Sequence, residues 1–577
     1  MNEAVIRIAG ANGDGIESSG MLLIKVAARS GRHVFGYRSY QSVIKGGHVW
    51  YQVRIADDRI YSHGNDIDIL VALNQDAIAN QLKHVKEGGI IIYDPDKVTI
   101  SDAPQGIKRI GIPLLDIATK VGGDPIMRNT VALGAVLKLV GIDIAVANEL
   151  INETFSKKSQ QVADQNIKAA TEGYNFAGVE KAFDIKNDSK RRYVLDGNTV
   201  LSIGAYAAGC KFYAAYPMTP ASGILHWFAS HENLGIVFKQ TEDEITAINS
   251  AIGAASAGVR AMCGTSGGGF SLMVEALGLA GMIEAPLVVV DVERTGPSTG
   301  LPTKTEQSDL LFVSHASQGE FPRIVVAPRN TEESFKIASE AFNLAERYQC
   351  PVIILSDLYL AEHIEGIEDL DVEGVKVDRG KIQVEAIGGS RFDRYKITDD
   401  GISPRSIPGT PGLEFVAASD EHNEHGDLIS DVFAGIDEYV EKRKKMHEKR
   451  MRKIDTMLKN EDLFRPELED EEADYFFVTF GSATMPAKEA ANLLSNEGLR
   501  FGVISFSYLL PLDAEKTLQI LKGKKLIDVE YNFTGQLAQH IKSITGVDVE
   551  KRILKYDGEA FTPKEIAEQA KLLAKGW

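Results

Sequence analysis

The chain has 577 residues, of which 44% are hydrophobic and 25% are charged. A chain of this length cannot bury its apolar residues in a single core, so the composition predicts three or more domains of an ordinary globular protein. Its 63 basic and 81 acidic residues give a formal net charge of −18, which argues against nucleic acid or an anionic membrane as a partner.

Membrane spans and metal sites are not expected from the sequence. No uncharged apolar run approaches the roughly 18 residues that a span requires, and the first residues begin a strand-like pattern rather than a signal peptide. We therefore expect a cytoplasmic protein. The three cysteines, Cys210, Cys263 and Cys350, are far apart and form no ferredoxin-like set. If the protein transfers single electrons, another subunit must carry them.

The first 180 residues show the alternation that is typical of an α/β domain. A strand-like run at residues 5–9 is followed by a glycine turn at residues 10–15 and by a helical pattern. Further apolar runs at residues 67–73 and 89–93 alternate with helical stretches. This pattern predicts a mostly parallel sheet with both faces covered.

The rest of the chain divides at two changes of composition. The polar residues 181–193 predict a linker, and a strongly charged helix is predicted over residues 438–459 within a segment of mixed character. Three α/β domains with their connections are thus predicted at residues 1–180, 181–193 (linker), 194–364, 365–473 (connecting segment) and 474–577.

The glycine turn at residues 10–15 would point backbone N–H groups and a helix dipole at a phosphate. Its spacing, G-x-x-G-x-G, departs from the dinucleotide fingerprint, so a purely structural turn is favoured over NAD binding. The G-D-G around Asp14 also mimics the metal motif of thiamine-diphosphate enzymes. The next asparagine after Asn12 is Asn65, too far along the chain. We interpret the match as coincidence, which means that this chain does not anchor a diphosphate alone.

A second glycine cluster lies at residues 42–48. Lys45 beside Gly46 and Gly47 offers a cation next to exposed backbone donors, which would suit the phosphates of coenzyme A. The alternative is that Lys45 is a solvated surface residue and that His48 is satisfied within a strand.

The most specific stretch lies in the second predicted domain. Four motifs follow one another there: Tyr216-Pro217-Met218-Thr219-Pro220, Gln240-Thr241-Glu242-Asp243-Glu244, the glycine loop at residues 264–273, and residues 293–303, which begin Glu293-Arg294. Each alone could be a turn, an acidic helix start or a glycine loop. In this order they closely resemble the pyrimidine-binding domain of the 2-oxoacid:ferredoxin oxidoreductases, and the match continues through residues 307–310.

The resemblance extends over nearly the whole chain. The first domain resembles the family's gamma-type domain at residues 10–15 and 44–48, and the third resembles the transketolase C-terminal type of domain at residues 529–537. The connecting residues 395–405 are also similar to the family. The match is to the form in which gamma and alpha regions are fused and a smaller beta subunit is separate.

The resemblance implies oxidative decarboxylation of a 2-oxoacid, with electrons passing to a [4Fe–4S] cluster and ferredoxin and the acyl group to coenzyme A. Thiamine diphosphate would be shared with the beta subunit, which would carry Mg²⁺ and the cluster, in an (αβ)₂ assembly. The fused layout favours 2-oxoglutarate, converted reversibly to succinyl-CoA. Pyruvate or branched-chain 2-oxoacids are alternatives, and a catalytically silent coenzyme-A-binding regulatory protein is an alternative of another class.

The resemblance also implies roles for individual residues. Thiamine catalysis needs a carboxylate on the pyrimidine N1′, and Glu244 matches that position better than Glu242, which could be a simple helix N-terminal charge. Thr219 and Arg294 match positions that meet the carbonyl and carboxylate of the 2-oxoacid, and an arginine fork suits a carboxylate.

Two sets of binding residues follow from the same match. The pyrimidine side is expected to be lined by Tyr216, Pro217, Met218, Glu244, Gly267, Gly268 and Phe270. Coenzyme A is expected to contact Asn12, Gly13, Asp14, Gly15, Lys45, Gly46 and His48. A basic run at residues 441–453, with eight Lys or Arg, could steer an acidic ferredoxin, although a solvated charged helix is the simpler interpretation.

Overall fold

The structure, a computed structural model, describes residues 2–41, 46–101, 104, 106–157, 159–386, 391–430, 432 and 435–577. The chain divides into two compact units. The first comprises Met1–Asp196, His363–Leu370 and Thr562–Glu565, and the second comprises Gly197–Glu362, Asp371–Phe561 and Ile566–Trp577.

Strands and helices alternate along most of the chain. Up to residue 196 they are β1 Glu3–Ala11, α1 Ile16–Arg29, β2 His33–Ser39, β3 His48–Ala56, β4 Ile67–Ala72, α2 Gln75–Gln81, β5 Val85–Tyr93, β6 Lys108–Gly111, α3 Leu114–Ile117, α4 Arg128–Leu139, α5 Ile144–Phe155, α6 Gln160–Asn175 and β7 Tyr193–Asp196. The next are α7 Gly197–Ala207, β8 Phe212–Ala215, α8 Ser222–Ser230, β9 Val237–Gln240, α9 Glu244–Ser256, β10 Ala261–Thr265, α10 Gly267–Met282, β11 Val288–Glu293, α11 Leu310–His315, β12 Ile324–Val326, α12 Thr331–Tyr348, β13 Val352–Asp357, α13 Leu358–Glu362 and β14 Ile364–Ile367. The last are α14 Ile436–Asn460, β15 Glu467–Glu469, β16 Tyr475–Phe480, α15 Thr484–Asn496, β17 Phe501–Phe506, β18 Tyr508–Leu510, α16 Ala514–Leu521, β19 Leu526–Glu530, α17 Gln536–Thr545, β20 Lys551–Leu554 and α18 Pro563–Ala574.

The first unit contains one eight-stranded sheet with the order β6-β5-β4-β1-β3-β2-β14-β7. The pairs from β6 to β1 are parallel, but β1–β3, β3–β2, β2–β14 and β14–β7 are antiparallel. The prediction of a mostly parallel sheet is therefore wrong for this half. For the pair β2–β3 the physical reason lies in the sequence, because residues 40–47 between them are too few for the crossover helix that a parallel pair needs.

The second unit contains two sheets. One has the order β18-β12-β13-β11-β10-β8-β9 and is parallel except for β18, and the other has the order β15-β17-β16-β19-β20 and is parallel except for β15. Strands β10, β11 and β13 are buried along their full length, as expected for strands covered by helices on both faces. The α/β class predicted from the sequence is confirmed.

Strand pairs in the structure cross the predicted domain boundaries. Strands β7 and β14, at the two ends of the predicted second domain, pair with each other in the sheet of the first unit. Strand β18, from the predicted third domain, pairs with β12 in the sheet of the second domain. Such pairing joins residues that are far apart in the sequence, so composition along the chain does not reveal it.

The charged helix predicted at residues 438–459 is present as α14. Its C-terminal half is not solvated, because Lys449, Arg450 and Lys453 are buried. The interpretation of the whole basic run as a solvated helix is therefore wrong for these three residues. The sequence of the run alone does not show which of its charged side chains are buried. Over the part of the chain that is described, no helix is long and apolar enough to cross a membrane.

Candidate active site

The four sequence motifs of the second domain meet at one edge of its sheet. They follow strands β8, β9, β10 and β11, which are parallel and adjacent in the order β11-β10-β8-β9. The carboxyl ends of parallel strands lie at the same edge, which is where ligands bind in open α/β sheets. The structure therefore brings together residues that lie up to 78 positions apart, from Tyr216 to Arg294.

The two predicted substrate residues are in contact. Nη1 of Arg294 donates a hydrogen bond of 2.7 Å to the carbonyl oxygen of Thr219. The next carbonyl, that of Pro220, accepts from Nδ2 of Asn198 at 2.9 Å, which fixes the loop from the side of α7. The guanidinium has five N–H donors, so this bond leaves most of its donor capacity for a ligand. Burial lowers the pKa of Arg294 from its ordinary value.

Glu244 is the first residue of α9, whose N-terminus is capped by Asp243. Its side chain is buried with 3% of its surface exposed, and Oε1 has no hydrogen-bond partner among the residues that the structure describes. Burial raises the pKa of this carboxyl. Glu242, by contrast, is exposed and accepts a 3.0 Å hydrogen bond from Oγ1 of Thr246. The structure thus separates the two glutamates, one buried beside the glycine loop and one exposed.

The glycine loop at the start of α10 is shaped by its neighbours. A Cβ on Gly269 would overlap Oε1 of Glu244 and Oγ1 of Thr265, and one on Gly267 would overlap the carboxylate of Asp309. Gly268 is open, with only the carbonyl of Ser298 at 3.7 Å from such a Cβ. The loop therefore lets a ligand approach the backbone beside Glu244.

The remaining residues of the predicted pyrimidine side fall into two groups. Tyr216 and Pro217 are exposed and Met218 is half-buried, with its Sδ 3.8 Å from Oγ1 of Thr265. Phe270 is fully buried and makes an edge contact with Phe312 at 5.4 Å between ring centroids. Its ring would support the loop from the core rather than face solvent.

A set of buried carboxylates lies behind the loops and was not predicted as functional. Both oxygens of Asp291 are buried with no hydrogen-bond partner in the described part of the chain, and Glu293 accepts from the backbone N–H of Asp309 at 2.6 Å. Burial raises the pKa of all three groups, that of Asp309 to about 6. The available signal was the sequence VVVDVE of β11, because acids inside a buried strand are rare.

In the first unit, the two glycine segments expected to contact coenzyme A lie side by side. Ala11 pairs with His48 across β1 and β3, the backbone N–H of Asn12 donates to the carbonyl of Gly47 at 3.2 Å, and that of Gly46 donates to the carbonyl of Asn12 at 3.3 Å. Gly13 has a φ of 99° and open space where a Cβ would stand. Lys45 lies outside the described residues.

Asp14 and His48 make contacts within the chain. The Asp14 carboxylate accepts from the backbone N–H of Ala11 at 3.1 Å and forms a 3.0 Å ion pair with Arg128. Nε2 of His48 lies 2.7 Å from Nε2 of Gln81, and burial lowers the pKa of His48. A cavity of about 590 Å³ adjoins the turn at Gly15 and carries polar groups from Ser18, Ser19, Asn129, Thr130, Gln165 and Asn166.

Known proteins were compared with this chain by sequence and by structure. The family model "Pyruvate ferredoxin/flavodoxin oxidoreductase" matches residues 5–176, the thiamine-diphosphate-binding model of the same enzymes matches residues 203–442, and their core domain II matches residues 473–566. The 2-oxoacid:ferredoxin oxidoreductase subunit alpha of a Sulfolobus species is 35% identical over 97% of this chain and 95% of its own length. The chain belongs to the 2-oxoacid:ferredoxin oxidoreductase family.

Two further members of the family are named for one substrate. The 2-oxoglutarate oxidoreductase subunit KorA of Mycobacterium tuberculosis is 31% identical over 98% of this chain and 91% of its own length. The solved structure of 2-oxoglutarate:ferredoxin oxidoreductase from Magnetococcus marinus, with 2-oxoglutarate, coenzyme A and succinyl-CoA bound, has a TM-score of 0.92, 33% identity and 99% coverage of both chains. The resemblance found in the sequence is thereby confirmed for the fold and for the oxidoreductase family.

Proposed function

We propose that the chain is the alpha subunit, with a fused gamma region, of a 2-oxoglutarate:ferredoxin oxidoreductase. It would convert 2-oxoglutarate and coenzyme A to succinyl-CoA and CO₂ in a reversible reaction that reduces ferredoxin. One observation carries the proposal. The buried Oε1 of Glu244 has no hydrogen-bond partner among the residues described, and it lies against Gly269 where the four motifs meet. The substrate is supported by the two relatives named for 2-oxoglutarate.

Glu244 and the glycine loop fit the pyrimidine ring of thiamine diphosphate. A carboxyl group with a raised pKa is able to hold a proton at a ring nitrogen. In the family, the carboxylate at this position faces the pyrimidine N1′. Gly267 and Gly268 would let the ring approach the backbone, with Tyr216, Pro217 and Met218 around it and Phe270 supporting the loop from the core. When bound, the cofactor supplies the nucleophilic carbon and the electron sink that decarboxylation of a 2-oxoacid requires.

Arg294 and Thr219 would orient the 2-oxoacid. The guanidinium is well suited to a carboxylate because two of its N–H groups can bind both oxygens at once. Its existing bond to the Thr219 carbonyl holds it at the loop where the threonine hydroxyl can meet the 2-oxo group. These two residues would thus bind the substrate, while Glu244 acts on the cofactor.

The first unit would bind coenzyme A. The backbone N–H groups of Gly13 and Gly15 would meet phosphates at this turn, and Lys45 would add a cation. Asn12 and Gly46 bond the two segments to each other and would hold the turn open for the ligand. Asp14 and His48 are engaged within the chain, so their contribution would be to hold the turn. The adjoining cavity has room for part of a large ligand.

The proposal requires a beta subunit that carries Mg²⁺, the diphosphate end of the cofactor and a [4Fe–4S] cluster. The three cysteines of this chain are free, buried and distant in sequence, so electrons would leave through that subunit to ferredoxin. Relatives named as alpha subunits support an assembly of unlike chains, for which we propose (αβ)₂.

The test is anaerobic reduction of a low-potential viologen by the complex purified through this chain. 2-Oxoglutarate, pyruvate and 2-oxoisovalerate are compared with and without coenzyme A. Reduction that needs coenzyme A and prefers 2-oxoglutarate supports the proposal, and preference for another 2-oxoacid would overturn the substrate while keeping the chemistry. Absence of activity from a complex loaded with iron and thiamine diphosphate would instead favour a silent coenzyme-A-binding protein.

A further inference from the structure

A second cavity lies in the same unit as the candidate active site but at the other end of α9. It has a volume of about 300 Å³ and is bounded by Ala255 and Ser256 of that helix, by residues 283–286 after α10, and by residues 405–417 of the connecting segment. Glu244 and Ala255 are separated by roughly 17 Å along the helix axis, at 1.5 Å per residue. The cavity is therefore distinct from the pyrimidine site.

Buried cations outnumber buried carboxylates among the residues of the cavity wall and the ion-pair network attached to it. Two acids, Glu284 and Glu346, are accompanied by five buried bases: Arg260, Arg394, Arg405, Lys449 and Lys453. None of the seven has more than 4% of its surface exposed. This excess of positive charge stands in a region from which water is largely excluded, where unpaired charge is unfavourable.

The two acids are already occupied by four of the bases. Glu284 pairs with Lys449 at 2.5 Å and with Lys453 at 2.7 Å. Glu346 pairs with Arg260 and Arg405, each at 2.8 Å.

Arg394 has no such acid. Its Nη2 donates to the backbone carbonyl of Glu284 at 3.0 Å, while Nη1 has no hydrogen-bond partner in the described ranges. Nε of Arg405 is also buried without an acceptor there. Both side chains line the cavity. Among the residues described, Arg394 thus forms no ion pair, and an unneutralised guanidinium group in a cavity wall favours an anion there.

The rest of the cavity wall suits an apolar body. Ile283, Pro286 and Phe415 line it together with small residues. Glu414 also lines it, at the exposed rim, where its Oε1 accepts from the backbone N–H of Gly412 at 3.1 Å. A bare inorganic anion would leave this apolar wall without contacts, whereas a short hydrocarbon chain would cover it.

We propose that this cavity binds a small organic carboxylate. The carboxylate group would meet Arg394 and Arg405, and the hydrocarbon body would lie against Ile283, Pro286 and Phe415. The lining residues come from this chain, and the proposal does not depend on whether the substrate of the candidate active site is 2-oxoglutarate.

The test is isothermal titration calorimetry on the intact chain with butyrate as the probe, compared with succinate, inorganic phosphate and butyramide. Butyrate is expected to bind saturably at one site, and butyramide at least about tenfold more weakly because it lacks the charge that an arginine recognises.

The Arg394→Gln variant should bind butyrate about tenfold or more weakly than the wild type, because it lacks the positive charge. Arg391→Gln is the matched control, because Arg391 lies three residues away but forms an exposed ion pair with Asp427. Arg294→Ala should leave the binding unchanged.

A second variant tests the proposal if Arg394→Gln fails to fold. Ala417 lines the cavity and is exposed, so Ala417→Leu would fill space there while all the arginines remain. It should also abolish butyrate binding. The proposal is overturned if butyramide binds as well as butyrate, if only phosphate binds, if butyrate does not bind saturably, or if folded Arg394→Gln and Ala417→Leu bind butyrate normally.

Discussion

Gly269 lies so close to Glu244 that a methyl group on the glycine would overlap Oε1 of the glutamate. Gly269→Ala should therefore displace the carboxylate that we assign to the pyrimidine ring. We expect activity to fall by about 100-fold, the usual cost of misplacing a reacting group by about 1 Å. The measurement is viologen reduction under saturating 2-oxoglutarate.

Gly253→Ala provides the control for this variant. Gly253 lies in α9 with open space where a Cβ would stand, so alanine should fit and stabilise the helix by about 0.5–1 kcal/mol. Activity should be unchanged. Equal activity in the two variants would contradict the proposed role of the Gly269 contact.

Glu244 and Glu242 should respond differently to the same substitution. Glu244→Gln removes the buried carboxyl that would hold a proton on the cofactor, and we expect kcat to fall by about 10²–10⁴-fold. Glu242→Gln changes an exposed side chain that is bonded to Thr246, and kcat should stay within about twofold because exposed charges contribute little. A reversed order would transfer the role to Glu242.

The raised pKa of Glu244 predicts how stability depends on pH. Burial favours the protonated form, so the folded pKa lies above the ordinary value of 4.5. The associated stability is fully present below pH 4.5 and is lost as the pH rises through the folded pKa. Without thiamine diphosphate, the Glu244→Gln variant and the wild type should have the same melting temperature below pH 4.5. At neutral pH the variant should have the higher melting temperature. Thermal unfolding at pH 4 to 8 measures the difference, and a constant offset would contradict the assignment.

Arg294→Lys tests the guanidinium as the substrate carboxylate partner. Lysine keeps the charge but cannot bind both carboxylate oxygens or keep the bond to the Thr219 carbonyl in the same geometry. We expect kcat/KM for 2-oxoglutarate to fall by about 10- to 100-fold, the value of one or two charge-assisted hydrogen bonds. Binding of thiamine diphosphate should be unaffected. Unchanged kcat/KM would remove Arg294 from the substrate site.

The buried Glu284 should be important for stability. Glu284→Gln leaves Lys449 and Lys453 without their carboxylate, and we expect a loss of about 3–5 kcal/mol in the free energy of unfolding. Glu438→Gln, which breaks an exposed pair with Lys442 on the same helix, should cost about 0–1 kcal/mol. Denaturant titration of both variants makes the comparison. Equal losses would show that the buried cluster is not structurally important.

Much of the second unit could be predicted from the sequence because its parallel strands follow a local rule. Each motif comes directly after a short apolar run, and the carboxyl ends of such strands converge. The pairing of Arg294 with Thr219 and the burial of Glu244 follow from that geometry. The helix at residues 438–459 was visible from its own composition.

Other features depend on pairing between distant residues and were therefore not predicted. The antiparallel half of the first sheet uses β14, which comes from residues 364–367, more than 160 positions after β7. Burial of Lys449 and Lys453 depends on Glu284, an acid in the turn after α10. The carboxylates of Asp291 and Glu293 lie on β11, and Asp309 meets Glu293 where the segment before α11 packs against that strand. In each case the partner is supplied by the fold rather than by neighbouring residues.

The pairing of Ile364 with Asp196 also sets an order in time during synthesis of the chain. Strand β7 leaves the ribosome before its neighbour β14 has been made, and at about 5–20 residues per second the delay is roughly 10 to 30 s. Throughout that interval the nascent chain carries β2 with one edge unpaired and β7 without a neighbour. The first unit therefore cannot complete its sheet until the loops of the candidate active site have already been translated.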